Sequence, residues 1–211
     1  MGEVRGRSIG WGLAVFVLIA LWLLPAAPVR AAEFHVDCSA ETGGDGSFDQ
    51  PFNSLGSGFE LDSGDRLLIR RGTTCSGVLK VTGGGSEGSP AEVTGYGPGG
   101  LPRIVGTGQD AVLIDDASHL AVRNLDISNP GDGGPVGDGD SIRNGVRVTA
   151  STATVRGLTL SGLAIHDVDG DLTKSWQGSA GIQVTAVGAP PIRFENRHRD
   201  NGVDRSDWSD R

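Results

Sequence analysis

Asn124-Leu125-Asp126-Ile127 returns 38 residues later as Gly162-Leu163-Ala164-Ile165, and Gly145-Val146-Arg147-Val148 returns 36 residues later as Gly181-Ile182-Gln183-Val184. Each copy alternates apolar and polar residues, the period-two pattern of a strand with one face in a core. Strand-rich sequence recurring every 33 to 38 residues predicts a solenoid, in which each repeat is one coil. A second alignment sets Val122-Arg123-Asn124-Leu125 against Val155-Arg156-Gly157-Leu158 at an offset of 33, so the register has two candidates.

Short apolar runs continue this pattern toward the N-terminus. They are Leu67 to Ile69, Val78 to Val81, Ala91 to Tyr96, Arg103 to Val105, Val112 to Ile114, Leu120 to Val122 and Leu125 to Ile127. Gly, Asp, Asn, Ser or Pro bounds each one, as expected of strands separated by turns. After the first 31 residues no long window repeats apolar positions at helical spacing without a Gly or Pro inside it. The expected fold is all-β, a right-handed parallel β-helix. A β-sandwich is the rival, but its hairpin connections are shorter than the loops between these runs. The inward residues of one coil should be Val112, Ile114, Leu120, Val122, Leu125 and Ile127. Six aliphatic side chains do not offset the entropy of ordering a coil, so neighbouring coils must stack on it.

The start of the chain reads differently. Arg5 and Arg7 precede an apolar run from Trp11 to Leu24, then Pro25 and small residues ending at Ala31. This is the layout of a secretory signal, shorter than the roughly 20 residues of a membrane span. Residues 1–31 are expected to be a cleaved signal peptide, leaving no stable membrane insertion. The expected product is secreted, with residues 32–194 as the β-helix and 195–211 as a polar tail, frayed or truncated. Removing Arg5, Arg7, Arg30 and Glu3 with the signal leaves 15 basic and 25 acidic side chains, a charge of −10. That balance argues against nucleic acid as a partner. Cys38 and Cys75, an even pair bound for an oxidising compartment, are expected to form a disulfide stapling an N-terminal cap. The run Gly72 to Gly77 around Cys75 reads as a turn.

Several segments resemble a known family. Phe34-His35-Val36-Asp37, a Gly/Asp-rich turn and then Gln50-Pro51-Phe52-Asn53-Ser54-Leu55 are similar to the opening of secreted bacterial right-handed parallel β-helix proteins. The run Ser63 to Gly72, and Gly88-Ser89-Pro90-Ala91-Glu92-Val93 followed by Gly95-Tyr96-Gly97, resemble the same family. The resemblance covers most of residues 34 to 185 and implies the pectate-lyase-like superfamily, whose members are mostly polysaccharide lyases and glycoside hydrolases. It also implies a longer chain, and the 36–38-residue pattern lapses near residues 199–203.

Two polar segments hold matching places in the repeat, 128–144 and 166–180. The first carries Asp132, Asp138 and Asp140; the second carries His166, Asp167, Asp169, Asp171, Lys174 and Trp176. Equivalent segments of a solenoid project from one edge, one coil apart, so the carboxylates are expected to line one wall of a groove. Clustered carboxylates call for a cation, a proton or full solvation. Calcium on Asp167, Asp169 and Asp171 is one expectation, because it takes oxygen ligands in loose geometry. The run Asp167-Val168-Asp169-Gly170-Asp171 opens like an EF-hand loop but has Leu172 where glycine belongs, and no flanking helices. A solvated turn is the plainer reading of the same residues.

The expected partner is a polysaccharide. A hydrolase needs two carboxyl groups across the scissile bond, and Asp167, Asp169 and Asp171 can pair with Asp138 or Asp140. A lyase acting on uronic acids needs a base, for which Lys174 is the candidate, and a cation such as calcium. Trp176 offers a stacking surface for a sugar ring or covers a coil edge. His166 is either a strand-capping residue or a catalytic acid at the substrate site. Asn124, Asn129 and Asn144 are expected in turns, and Asp115-Asp116 in a turn between strands. The alternatives to an enzyme are a non-catalytic glycan-binding or surface-structural solenoid, or an inactive fragment of a longer enzyme.

Overall fold

The structure is a computed structural model. It describes Gly2 and residues 31–131, 142–152, 154–170 and 178–186, with the backbone alone at 194–195, 199–200 and 203–204. Contacts divide the chain into Met1–Arg30 and a second compact unit from Ala31 onward. The second unit contains the architecture described below.

Three parallel sheets form its walls. The first is ordered β1 (Glu33–Val36), β3 (Arg66–Arg70), β6 (Ala91–Tyr96), β9 (Leu120–Arg123) and β13 (Thr159–Ser161). The second contains β4 (Thr74–Ser76), β7 (Arg103–Val105), β10 (Asp126–Asn129) and β14 (Ala164–Val168). The third contains β2 (Phe59–Leu61), β5 (Leu79–Gly84), β8 (Asp110–Ser118), β11 (Asn144–Ala150) and β15 (Ala180–Ala186). From β3 onward the chain visits first, second and third sheets in turn, one coil per circuit. This is a parallel β-helix, and no helix occurs among the described residues. A corner strand, β12 (Val155–Arg156), pairs with β16 (Phe194–Glu195); β17 (Arg199–Asp200) and β18 (Val203–Asp204) form an antiparallel pair.

Strand alternation builds the core as apolar ladders running across coils. The first sheet stacks Phe34, Leu67, Val93, Val122 and Leu160. The second stacks Cys75, Ile104, Ile127 and Ile165. The third stacks Leu79, Val112, Val146 and Ile182, and beside them Phe59, Val81, Ile114, Val148 and Val184. All six residues expected to face inward from the Val112–Ile127 coil are fully buried.

The register follows the longer offset. Val122 pairs with Leu160 and Ile127 with Ile165, both 38 residues apart, so the 33-residue alignment is wrong. Val155 begins the corner strand β12 and pairs with Phe194. Between earlier coils the offset falls as low as 22, from Phe59 to Val81, because connections at the corners differ in length. The turn from first to second sheet shows why the repeat holds where it does. Asn124 has φ 56°, and its counterpart one coil on, Gly162, has φ 62°. Both residue types tolerate the left-handed backbone that this corner requires.

The disulfide between Cys38 and Cys75 is present, with Cα atoms 5.3 Å apart. Cys75 is not in a turn. It is the buried central residue of β4, in the ladder beneath Ile104. The two ends of the third sheet are incompletely covered. At the start, Phe34, Phe52, Leu55 and Phe59 line an open groove of about 570 Å³. At the far edge, Ile182 and Val184 are 48% and 55% exposed, whereas Val146 and Val148 in the preceding coil are 0% and 1%.

Candidate functional site

The two aspartate-bearing segments share their points of departure and return. The first leaves at the end of β10 and rejoins at β11; the second leaves at β14 and rejoins at β15. Strands β10 and β14 are paired neighbours, as are β11 and β15. Asn144 stands opposite Ala180, and Asn129 opposite Val168. Backbone bonds tie the roots together: Asp169 N–H donates to Asn129 O at 3.1 Å, and Ala180 N–H to Arg143 O at 3.1 Å. Arg143 N–H donates to Ser179 Oγ at 3.0 Å. The segments therefore emerge from one edge of the solenoid, about one strand spacing (roughly 4.8 Å) apart.

Beneath this edge lies a buried polar clamp that the sequence reading assigned to turns. Asn129 and Asn144 are strand residues, both fully buried. Asn129 Nδ2 faces three carbonyl oxygens, those of Gly108 at 3.1 Å, Gln109 at 3.2 Å and Asn144 at 3.0 Å. Asn144 Nδ2 donates to Asp110 Oδ1 at 2.9 Å. Arg147 closes on the same carboxylate in bidentate fashion, with Nε 2.9 Å from both oxygens and Nη2 2.7 Å from Oδ2. Amide groups satisfy the carbonyls of a corner where the backbone leaves the ladder, as burial demands. Asp115-Asp116 likewise lies within β8 rather than in a turn. Asp116 has φ 50° and accepts bonds from the backbone and hydroxyls of Ser151 and Thr152 in the next coil.

On the outer face of the second sheet, His166 sits between two carboxylates. Its Nε2 is 2.8 Å from Asp126 Oδ1, and its Nδ1 is 2.8 Å from Asp167 Oδ2. The bonds to Asp167 and then Asp126 raise the histidine pKa above its ordinary value. Asp126 also meets Arg103 Nη2 at 3.4 Å. The pairing of β10 with β14 slips beside this group: Ser128 pairs with His166, but Asn129 pairs with Val168. Asp167, at φ 48°, is the extra residue of that bulge. Its side chain is 72% exposed. Bulges bend a strand and re-aim the side chains they carry. Sequence reasoning missed Asp126. Its signal was its outward place between Leu125 and Ile127, one coil below Ala164.

Of the expected site residues, His166 and Asp167 are in contact, and Asp169 is exposed at the root of the second segment. Asp132, Asp138, Asp140, Asp171, Lys174 and Trp176 lie outside the described residues. Among the described residues no three His, Cys, Asp or Glu side chains converge as a metal-ligand group.

No family model matches this chain, and no curated protein matches it. Solved structures do. The native GH136 lacto-N-biosidase from Eubacterium ramulus is 28% identical, with a TM-score of 0.67 over 78% of this chain. The selenomethionine form of that protein is 28% identical, with a TM-score of 0.68 over 76% of this chain. The likeness is to a β-helix glycoside hydrolase. This chain spans 31% of the length of either structure.

Proposed function

We propose that this chain is part of an extracellular carbohydrate-active β-helix of glycoside hydrolase type, with its glycan site along the aspartate-bearing edge. The observation that carries this reading is the shared root of segments 128–144 and 166–180 on paired strands. In this reading carboxylates from two neighbouring coils act on one ligand. The likeness to a lacto-N-biosidase favours hydrolysis of a neutral glycan over elimination from a uronic acid chain. A net charge of −10 without residues 1–31 also opposes an anionic substrate. The resemblance to pectate-lyase-like proteins is compatible with either chemistry.

In this reading Asp167 and Asp169, with Asp171, Asp138 or Asp140, provide the pair of carboxyl groups that glycoside hydrolysis uses. One protonates the leaving oxygen, and the other attacks the anomeric carbon or activates water. His166 holds Asp167 in place and links it to Asp126 in the coil below. Trp176 supplies the stacking surface for a ring. Calcium, if bound, would neutralise Asp167, Asp169 and Asp171 and stiffen the edge.

The test is turnover of a chromogenic lacto-N-bioside and of neutral polysaccharides, alongside retention on insoluble glycan, with calcium or a chelator. Asp169→Ala should abolish turnover; if it only weakens retention, the chain is a binding module. Absorbance from unsaturated uronides would instead assign a lyase, with Lys174 as base. Absence of turnover and of retention under both conditions would overturn the glycan assignment.

A further inference from the structure

Phe48 is 68% exposed, in a chain that has only six Phe and one Tyr. It stands at the tip of the loop between β1 and β2, and that loop is tied down on both sides. His35 N–H donates to Gly46 O at 2.7 Å, and Phe52 N–H to His35 O at 2.9 Å. Across the tip, Gly46 N–H donates to Gln50 O at 2.9 Å and Ser47 N–H to Asp45 Oδ1 at 2.9 Å. Gly46 has φ 85°, and a Cβ there would lie 2.4 Å from the Phe52 ring, so the fold of the loop requires glycine. Phe48 is thus held out to solvent by a fixed backbone.

Its ring is braced by two others. Edge-on contacts join Phe48 to His35 at 5.4 Å and to Tyr96 at 6.2 Å, and His35 to Tyr96 at 5.0 Å. His35 and Tyr96 belong to the outer face of the first sheet, alternating with the buried Val36 and Val93 rows. His35 is 6% exposed, and its Nδ1 has no hydrogen-bond partner among the described residues. Buried nitrogens are nearly always paired, so an unpaired one packed against an exposed ring marks a place where a ligand supplies the partner. At the margin Arg70 pairs across the ladder with Tyr96, and its Nη1 donates to Asp37 Oδ2 at 2.9 Å. The Arg70 side chain is 54% exposed, which leaves further guanidinium N–H groups for a ligand.

Size and charge select the ligand. The other exposed large apolar side chains among the described residues are Ile182 and Val184, at the far edge of the third sheet. The patch is therefore one ring wide. A stable protein interface takes about 800 Å² from each partner, several times the roughly 150–250 Å² that one aromatic side chain buries. A sugar ring fits, with its C–H face on the aromatic face and its hydroxyls on the polar margin. Asp37 already balances the charge of Arg70, which favours a neutral sugar over an anionic one.

We propose that Phe48, with Tyr96, His35 and Arg70, forms a binding platform for a neutral glycan on the outer face of the first sheet. It is separate from the aspartate-bearing edge, which lies between the second and third sheets in later coils, and it holds a glycan without reacting with it. The choice of a glycan rests on the carbohydrate-active reading, and the test separates the two.

Tyr96 is the only tyrosine of the chain, so the full chain labelled with meta-fluorotyrosine gives one fluorine NMR resonance, at the platform. The probes are cellohexaose, xylohexaose and lacto-N-biose. At least one should shift that resonance saturably. Phe48→Ala should weaken the binding about tenfold or more, and Phe48→Trp should keep it. Both variants should retain the wild-type circular dichroism, because the ring is exposed. Asp169→Ala should leave the shift and its affinity unchanged. Full affinity in Phe48→Ala, or loss of the shift in Asp169→Ala, overturns the platform. Absence of any shift while turnover or retention on insoluble glycan persists overturns the platform and leaves the glycan reading standing. Absence of shift, turnover and retention together overturns both.

Discussion

Replacing Asn129 tests whether the buried amide clamp, rather than turn geometry, sets the root of the functional edge. The Nδ2 group has two hydrogens and faces the carbonyls of Gly108, Gln109 and Asn144. Asn129→Ala removes both donated bonds and leaves buried carbonyls unsatisfied, at about 1–3 kcal/mol each. It also removes Asn129 Oδ1, a buried oxygen with no partner among the described residues, which returns part of that loss. The net destabilisation should be about 2–4 kcal/mol. With an m-value of about 2 kcal/mol/M, the urea midpoint falls by about 1–2 M. Asn129→Asp should be worse at pH 7, because a carboxylate oxygen then faces three carbonyl oxygens. Burial without a donor raises that carboxyl's folded pKa above its unfolded value. Its extra penalty is therefore absent at pH below about 3.9 and grows as pH rises through the folded pKa. Urea melts of both variants at pH 4 and pH 7 measure this directly. An alanine variant within about 0.5 kcal/mol of wild type, or an aspartate variant no worse than alanine at pH 7, would refute the reasoning.

Three further outcomes follow from named contacts. Reducing the Cys38–Cys75 bond, which spans 37 residues of sequence, should cost about 4 kcal/mol in the chain-entropy account, read as a lower Tm with reductant. Partial burial opposes charge on Asp116, but bonds from Ser151 and Thr152 outweigh it and hold its pKa at about 2. Its contribution, about 1–2 kcal/mol after solvent screening, is present above the unfolded pKa and lost as pH falls from about 3.8 toward 2. Asp116→Asn should therefore destabilise at pH 6 and match wild type near pH 2 in acid melts. The raised pKa of His166 depends on Asp167 and Asp126. Any stability it lends is complete below the unfolded histidine pKa and disappears as pH rises through the folded one. Asp167→Asn and Asp126→Asn should each lower the imidazole pKa, followed by NMR titration of its ring protons.

Strand periodicity alone determined the class of fold, because a half-buried strand must alternate whatever surrounds it. Val112, Ile114, Leu120, Val122, Leu125 and Ile127 were legible as one coil's interior for that reason, and all six are buried. The common roots of the two aspartate-bearing segments were legible too, since flanking motifs 36 and 38 residues apart had to stack. What lies between coils was decided by tertiary structure. Neighbours across a solenoid wall are fixed by corner lengths, which vary from coil to coil, so the 38-residue offset that pairs Val122 with Leu160 shrinks to 22 between Phe59 and Val81 and could not be carried along the whole chain. Asn129 and Asn144 carry the composition of turns, yet the fold uses their amides to satisfy carbonyls brought together from distant sequence. Asp126 and His166 are 40 residues apart, and only the β10–β14 pairing makes them a hydrogen-bonded pair. Local alternation is written in one strand, whereas polar partnership needs two coils in register, and the register exists only after stacking.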